Sequence, residues 1–180
     1  MTRIDVCDES GLTLDFTNME AFRFADLKTY RGLCHRELKE VDFIFLHNHK
    51  LYFLEVKSFM NPLRQPTQDE VKNLTAALIQ KSKDALLLMS TVWVKSQIGQ
   101  KLRQEGIPDV FADFQAFTII HGLDLPPDLH PHFETLNSKV TEALSLHGHL
   151  FDFQVVLLTY EELLKRFPFI QRQAACLTKN

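Results

Sequence analysis

Two largely apolar segments separated by a short polar stretch predict a β-hairpin over residues 38–59. Residues 41–46 and 51–57 are rich in aromatic and β-branched side chains, which are enriched in strands. The polar residues 47–50 separate these two segments and are expected to form the turn. The pattern therefore predicts two antiparallel strands joined by a four-residue turn.

The position of this turn sets the register of the two strands. Counting outward from it places Asp42 opposite Glu55. It also places Glu40 opposite Lys57. Because side chains alternate between the two faces of a strand, we expect these four charged groups to share one face of the sheet.

Helical and strand patterns alternate after the hairpin. Thr67, followed by Glu70, has the spacing of a helix capping box, and apolar residues at helical spacing then continue to about residue 90. This alternation predicts an α/β fold in which strands and helices interleave. The other predicted elements are helices at 91–104, 133–146 and 160–167, strands at 114–121 and 151–159, and a loop at 122–131.

The composition fits one domain without a membrane-spanning segment. The chain has 180 residues, of which 45% are hydrophobic, and this is enough to bury a core in a single domain over residues 1–180. No apolar run approaches the ~18 residues needed to span a bilayer. Cys7, Cys34 and Cys176 are widely separated, so they predict neither a disulfide framework nor a thiolate zinc site. A cytoplasmic location is therefore expected.

The formal net charge of −3 provides no global positive field that would attract nucleic acid. Binding to DNA would instead depend on a local group of basic side chains that contact phosphates. The densest basic stretch lies immediately before the hairpin, and it is either such a surface or an ordinary solvated face. Its members are Arg23, Lys28, Arg31, Arg36 and Lys39.

The predicted hairpin places two carboxylates side by side. Opposed carboxylates repel each other, and a bound cation removes this repulsion. Mg²⁺ prefers oxygen ligands and keeps several waters, so Asp42 and Glu55 suit it, and the backbone carbonyl of Val56 could add a further ligand. Lys57 would then orient or help deprotonate an attacking water, or stabilise charge on a phosphate.

Asp42, followed after twelve residues by Glu55-Val56-Lys57, resembles the motif of the PD-(D/E)XK, or restriction-endonuclease-like, nuclease superfamily. The resemblance is best over about residues 37–90, and there the chain is similar to small bacterial members. It implies a central mixed β-sheet flanked by helices, with Asp42 and Glu55 as ligands of Mg²⁺ or Mn²⁺ and Lys57 as the catalytic lysine. The expected function is a divalent-metal-dependent phosphodiesterase, a DNA endonuclease.

The same resemblance implies two further site residues. The helix after the motif often contributes a polar side chain, and Lys81 is the candidate, although a lysine whose amino group reaches solvent from a helix edge is the alternative. Asp84 follows one turn later and is a candidate partner for Lys81. Many members also place a glutamate near the metal from an amino-terminal element, and Glu20 is the candidate here.

Two alternatives remain open at this point. The hairpin could be a surface element with a polar outer face, in which Glu40 and Lys57 form an ordinary cross-strand ion pair. The chain could also be a non-catalytic module of the same fold that binds a partner protein or nucleic acid. A homodimer stays open as well, because nothing in the sequence marks a self-complementary surface.

Overall fold

The predicted hairpin lies within a five-stranded sheet in the computed structural model, which describes residues 11–33, 38–59, 68–113 and 116–172. Helices flank this sheet, so the chain has a mixed α/β fold. The strands are β1 (Leu12–Leu14), β2 (Ala21–Phe22), β3 (Phe43–His47), β4 (Lys50–Ser58), β5 (Phe117–Asp124), β6 (Phe153–Thr159) and β7 (Ile170–Arg172). The helices are α1 (Lys28–Leu33), α2 (Gln68–Trp93), α3 (Gln97–Gln104), α4 (Phe133–Phe151) and α5 (Tyr160–Arg166).

The large sheet has the strand order β2-β3-β4-β5-β6. The strands β2, β3 and β4 pair in antiparallel fashion, whereas β4, β5 and β6 are parallel. Parallel neighbours need a crossover connection, and here α2 lies between β4 and β5 in the chain while α4 lies between β5 and β6. The prediction of a mixed sheet flanked by helices is confirmed at this level.

The register predicted for the hairpin is confirmed, but its turn is shorter than expected. Phe43 pairs with Leu54 at one end of the ladder, and His47 pairs with Lys50 at the other. Only two residues connect the strands, both with positive φ, as a two-residue hairpin turn requires. Extending the ladder by one residue beyond Phe43 brings position 42 opposite position 55.

One face of the sheet packs against α2 and α4. Side chains buried on this side include Ile44, Phe53 and Ile119 from the strands and Leu78 and Met89 from α2. Apolar residues at helical spacing along α2 therefore cover the sheet, as predicted. The Glu55 side chain lies on this same face, because it is two residues from Phe53 in β4.

The opposite face of the sheet packs against α5 and the small β1–β7 sheet. Phe43, Phe45 and Leu54 from the hairpin are buried there against Leu163 and Ile170. The β1–β7 pair joins residues near both ends of the described chain, with Leu14 paired to Ile170. Neither of these three-residue strands was predicted from the sequence.

The segment after α2 differs from its prediction. A second helix was expected over 91–104, but α2 continues to Trp93 and α3 begins only at Gln97. Lys95 has a φ of 54°, which interrupts the helical path, and the Ser96 side chain then caps α3 by accepting the N–H of Gly99. The predicted cap residue Thr67 of α2 lies outside the described residues.

The segment after Ile120 was also predicted incorrectly. A loop was expected over 122–131, but β5 continues to Asp124, and Gly122 pairs with Val56 of β4. A Cβ atom at Gly122 would lie 2.6 Å from Cδ2 of Leu163. Glycine is therefore present because α5 approaches the sheet closely at this point, and it does not mark a turn.

The later helices keep their predicted order with shifted ends. α4 ends at Phe151, five residues beyond the predicted end, and Asp152 closes it with a φ of 51°. α5 begins after Thr159, which forms a capping box with Glu162. Within the described part of the chain, no helix is both long and apolar enough to cross a membrane.

Replacing His49 by glycine is expected to raise the free energy of unfolding by about 0.5–1 kcal/mol, because His49 has a φ of 58° that favours glycine. Urea denaturation followed by circular dichroism measures this change. Lys50→Gly is the matched control, since Lys50 belongs to β4 and its replacement by glycine should destabilise the protein. Equal destabilisation by both variants would contradict the expected turn strain.

Candidate functional site

Asp42 is held at the end of the hairpin by a direct bond to β4. It precedes the first residue of β3, and its Oδ2 accepts the backbone N–H of Val56 at 2.7 Å. The bond continues the connection between the two strands beyond their last paired residues. In an extended strand the N–H and C=O of one residue lie at the same edge, so the Val56 carbonyl also lies on the Asp42 side of β4.

Glu55 lies in the interior and contacts α2. The residue is 2% exposed, and its Oε1 accepts a hydrogen bond from Lys81 Nζ at 2.6 Å. The Lys81 side chain is 28% exposed, so it reaches from the helix edge into the buried carboxylate. The structure thus brings the predicted residue Lys81 together with Glu55.

The electrostatic environment disfavours ionisation of Glu55. Burial raises the pKa of Glu55 to about 8, the negative charge of Asp42 acts in the same direction, and Lys81 and Lys57 oppose it. Burial also disfavours the charged form of Lys81, but Glu55 and Asp42 outweigh this effect and raise the Lys81 pKa. The lysine therefore stays charged beside an acid that is easily protonated at neutral pH.

A second buried polar pair adjoins this ion pair and was not predicted from the sequence. His121 of β5 is fully buried and pairs in register with Glu55, and its Nε2 lies 2.9 Å from Ser82 Oγ. Burial, together with the positive charge of Lys81, lowers the His121 pKa to about 3, so the ring is neutral. The only signal in the sequence was a histidine inside the apolar run of residues 117–123.

Ser82, His121 and Glu55 have the residue types of a hydrolase triad, but their burial excludes Ser82 as a nucleophile. Its residue is 1% exposed and lies in the middle of α2, where substrate has no access to the Oγ atom. A catalytic serine needs an exposed Oγ and donors for an oxyanion. The more accessible groups of the site are instead Lys57, which is exposed, and Asp42, which is half-buried.

Lys57 and Glu40 complete the charged cluster. Lys57 is exposed near the carboxyl end of β4, and its charge lowers the pKa of Glu55, which places it within electrostatic reach. Burial raises the pKa of the half-buried Glu40, and the charges of Lys81, Asp42 and Arg23 also act on it. Three acids and two lysines therefore influence one another at this end of the hairpin.

Two of the residues that the sequence suggested for the site lie elsewhere. The backbone oxygen of Glu20 accepts the Leu46 N–H, so Glu20 lies near the turn end of β3. Leu46 is four residues from Asp42, which is about 13 Å along the strand. The side chain of Glu20 is exposed, and the structure does not bring it together with Asp42 and Glu55. Asp84 does not pair with Lys81, because its carboxylate accepts from the Lys39 backbone N–H and the Gln80 side chain.

The basic stretch before the hairpin is dispersed. The Arg23 guanidinium lies over the Phe43 ring at 5.2 Å, close to the charged cluster. Arg31 instead donates to the backbone oxygen of Asp26, and Arg36 lies outside the described residues. The positive charge of Arg23 acts on Glu40 and lowers the pKa of that carboxyl.

The donor set at this site suits a hard cation. Over residues 11–33, 38–59, 68–113 and 116–172 there is no group of three or more His, Cys, Asp or Glu side chains arranged to hold a metal. Asp42, Glu55 and the Val56 carbonyl offer oxygen atoms alone. One or two carboxylates are sufficient for Mg²⁺, which retains much of its water shell, so these residues fit Mg²⁺ or Mn²⁺.

Comparison with protein-family models, curated proteins and solved structures found no match to this chain. The resemblance to PD-(D/E)XK nucleases therefore depends on Asp42, on residues 55–57 and on their arrangement around the hairpin. The family assignment stays a prediction.

Ionisation of Glu55 should make stability depend on pH. Its pKa is about 8 in the folded protein, against an ordinary value of 4.5 for a solvated glutamate, so the folded protein binds its proton more tightly. The stability that this proton contributes is complete below pH 4.5 and is lost as pH rises to about 8. In metal-free buffer, the wild-type free energy of unfolding minus that of Glu55→Gln should fall by up to about 1.4 kcal/mol per pH unit in this window.

Urea denaturation at a series of pH values measures this difference. The depressed pKa of His121 has the opposite sign, because the unfolded protein then binds the extra proton between about pH 3 and pH 6.5. The contribution of His121 is confined to that range, so the fall between about pH 6.5 and pH 8 reports Glu55. A difference that does not change with pH would mean that folded Glu55 is ionised throughout.

Proposed function

We propose that the protein is a Mg²⁺- or Mn²⁺-dependent phosphodiesterase of the restriction-endonuclease-like type that cleaves DNA. The observation that carries the proposal is the buried Glu55 carboxylate at the end of the hairpin, which Lys81 contacts directly and whose pKa is raised by burial and then by the charge of Asp42. Charged groups in the interior need compensation, and a site for a cation explains why two acids are brought together there.

Asp42 and Glu55 are the residues that would hold the cation, with the Val56 carbonyl as a further oxygen ligand. Asp42 is oriented by the Val56 N–H, and Glu55 is oriented by Lys81. When bound, Mg²⁺ supplies polarisation of the phosphate and a more acidic water molecule. The bond from Lys81 favours the ionised form of Glu55, which is the form able to bind a cation.

Lys57 is the proposed catalytic lysine. It is exposed, lies two residues from Glu55 in β4, and affects the ionisation of that carboxylate. From this position its ammonium group would orient the attacking water and stabilise the charge that develops on the phosphate. Lys81 is a positioning residue in this scheme, because it acts on Glu55.

A non-catalytic module of the same architecture is the second candidate function. The direct bond between Lys81 and Glu55 favours it, because this ion pair offsets one buried negative charge without a metal ion. Such a module would bind a partner protein or nucleic acid and would cleave nothing. The proposed DNA substrate, the cytoplasmic location and a homodimer all stay predictions.

Cation binding can be measured separately from cleavage. Mn²⁺ at about one hundred times its Kd should stabilise the wild-type protein by about 2.7 kcal/mol and raise its Tm. Asp42→Asn should remove most of this increase, because it replaces a charged ligand. Glu20→Gln is the matched control: its exposed side chain lies at the other end of β3, so the increase should persist. Loss of the increase in both variants would contradict the assigned ligands.

Cleavage of single- and double-stranded DNA with Mg²⁺ or Mn²⁺ tests the reaction itself. Lys57→Ala should lower the rate by about 10²–10⁴-fold, the contribution typical of a general acid–base group. Lys50→Ala is the matched control, because Lys50 is an exposed lysine at the opposite end of the same strand. Circular dichroism confirms that the variants are folded.

The outcomes of this experiment separate the two candidate functions. Metal-dependent cleavage that is lost in Lys57→Ala and retained in Lys50→Ala supports the phosphodiesterase. If the folded wild-type protein cleaves no DNA, catalysis is refuted and the binding module takes its place.

A further inference from the structure

The strand β6 is an open edge of the large sheet. It pairs with β5 on one side, and no strand within the part of the chain that the structure describes pairs with its other side. The other edge strand, β2, is only two residues long, and short edge strands are one way in which proteins avoid pairing between sheets. By contrast, β6 has seven residues and contains neither proline nor a charged side chain. This edge therefore lacks the features that protect a sheet against a further strand.

The backbone of β6 has hydrogen-bonding groups that point away from β5. The Asp152 carbonyl accepts the N–H of Phe117, which fixes the side of β6 that bonds to β5. Because backbone groups alternate along a strand, the N–H and C=O groups of Phe153, Val155 and Leu157 point outward from the sheet edge. The side chains of these three residues belong to the core between α4 and the sheet. A further strand would therefore bond to these residues and place its own side chains beside α4.

A groove runs along this edge, between β6 and α4. Its volume is about 430 Å³. On the strand it is lined by Val155 and Val156, which are partly exposed, and on the helix by the small residues Thr141, Ser145 and Gly148. None of the described residues that line it is a lysine or an arginine, so the groove offers no cation to a phosphate backbone. Its shape and chemistry suit an uncharged extended strand.

The sequence of β6 is complementary to itself in antiparallel pairing. When Val155 of one copy lies opposite Val155 of a second copy, Phe153 lies opposite Leu157 on both sides of this pair. These are the residues whose backbone groups point outward, so each facing pair can exchange two hydrogen bonds. The side chains that meet on the α4 face are all apolar, and no like charges oppose each other. An identical strand therefore satisfies both the backbone and the side chains of this edge.

We propose that β6 and the groove-lining side of α4 form a homodimer interface, in which two copies of the chain pair β6 with β6 about a two-fold axis at Val155. The interface is isologous and joins the two five-stranded sheets into one. The same axis brings the two α4 helices together on one face, where Ser145 and Gly148 permit a close approach. This inference goes beyond the proposed phosphodiesterase, because it involves neither a cation nor the charged cluster.

Sedimentation velocity in metal-free buffer tests the dimer. The wild-type protein should sediment with about twice the 20.9 kDa mass of one chain. Val155→Pro removes an N–H that does not bond to β5, so the protein should still fold. It removes one donor from each copy at the axis, so the Kd of the dimer should rise by about 100-fold. Val155→Thr is the matched control, since it keeps the N–H and the β-branched shape and should remain dimeric.

Ser145→Arg tests the helix side of the interface without changing β6. Ser145 is exposed and lines the groove, so a long charged side chain there should exclude the second copy and give a monomer. Ala143→Arg is the matched control, because Ala143 is an exposed residue of the same helix that does not line the groove. This variant should remain dimeric. Circular dichroism confirms that both variants are folded.

Disulfide formation tests the register of the two strands. Val155→Cys places two thiols opposite each other at the axis, and the distance of about 5.5 Å between Cα atoms of a hydrogen-bonded pair is compatible with a disulfide. Val156→Cys is the matched control, because in this register Val156 lies opposite Gln154 of the second copy. Wild-type protein reports any cross-linking by its own cysteines, Cys7, Cys34 and Cys176. We expect a covalent dimer upon mild oxidation of Val155→Cys alone.

The outcomes decide the inference separately from the proposed function. A wild-type protein that stays monomeric over a range of concentrations would overturn it. A dimer that resists both Val155→Pro and Ser145→Arg and is not cross-linked by Val155→Cys would also overturn it, because its interface would lie elsewhere. These measurements use neither a divalent cation nor DNA, so their failure leaves the proposed phosphodiesterase to its own experiments.

Discussion

The contact between Glu55 and Lys81 is the interaction on which the arrangement of the site depends. A carboxylate that is 2% exposed loses most of its hydration, at an effective cost of several kcal/mol. The 2.6 Å bond to Lys81 compensates part of this cost. The bond exists only while α2 keeps its rotation about its own axis and its position along β4. Apolar contacts between helix and sheet would tolerate several placements of α2, so this polar contact specifies which placement is adopted.

The charges of the cluster do not balance. Lys81 contacts one carboxylate directly, yet Asp42 and Glu40 lie close enough to affect the same lysine. Lys57 lies at the exposed margin, where solvent weakens its effect. The interior of the site therefore contains more negative than positive charge, which the protein can relieve by retaining a proton on Glu55 or by binding a cation. These two states compete for the same carboxylate.

Local patterns predicted the hairpin, whereas long-range contacts decided the features that sequence reasoning missed. The two-residue period of β3 and β4 fixed which residues face α2, and a shift by one would move Phe53 and Ile44 to the face that packs against α5. Gly122 resembles a turn signal in the sequence, because the approach of Leu163, forty-one residues later, is invisible there. The three-residue strands β1 and β7 similarly depend on pairing between opposite ends of the chain.

The same distinction between local patterns and long-range contacts applies to the candidate site residues. Asp42 and Glu55 could be identified because a short turn relates them, and Lys81 because the following helix covers the strand that carries Glu55. His121 depends on a parallel pairing between strands that α2 separates in the chain, so no local spacing connects it to Glu55. At the site, Ser82 and His121 are buried, whereas Lys57 is exposed. Among the five charged residues of the cluster, Lys57 is therefore the one whose charge solvent screens most, whereas the buried Glu55 depends on Lys81 for compensation.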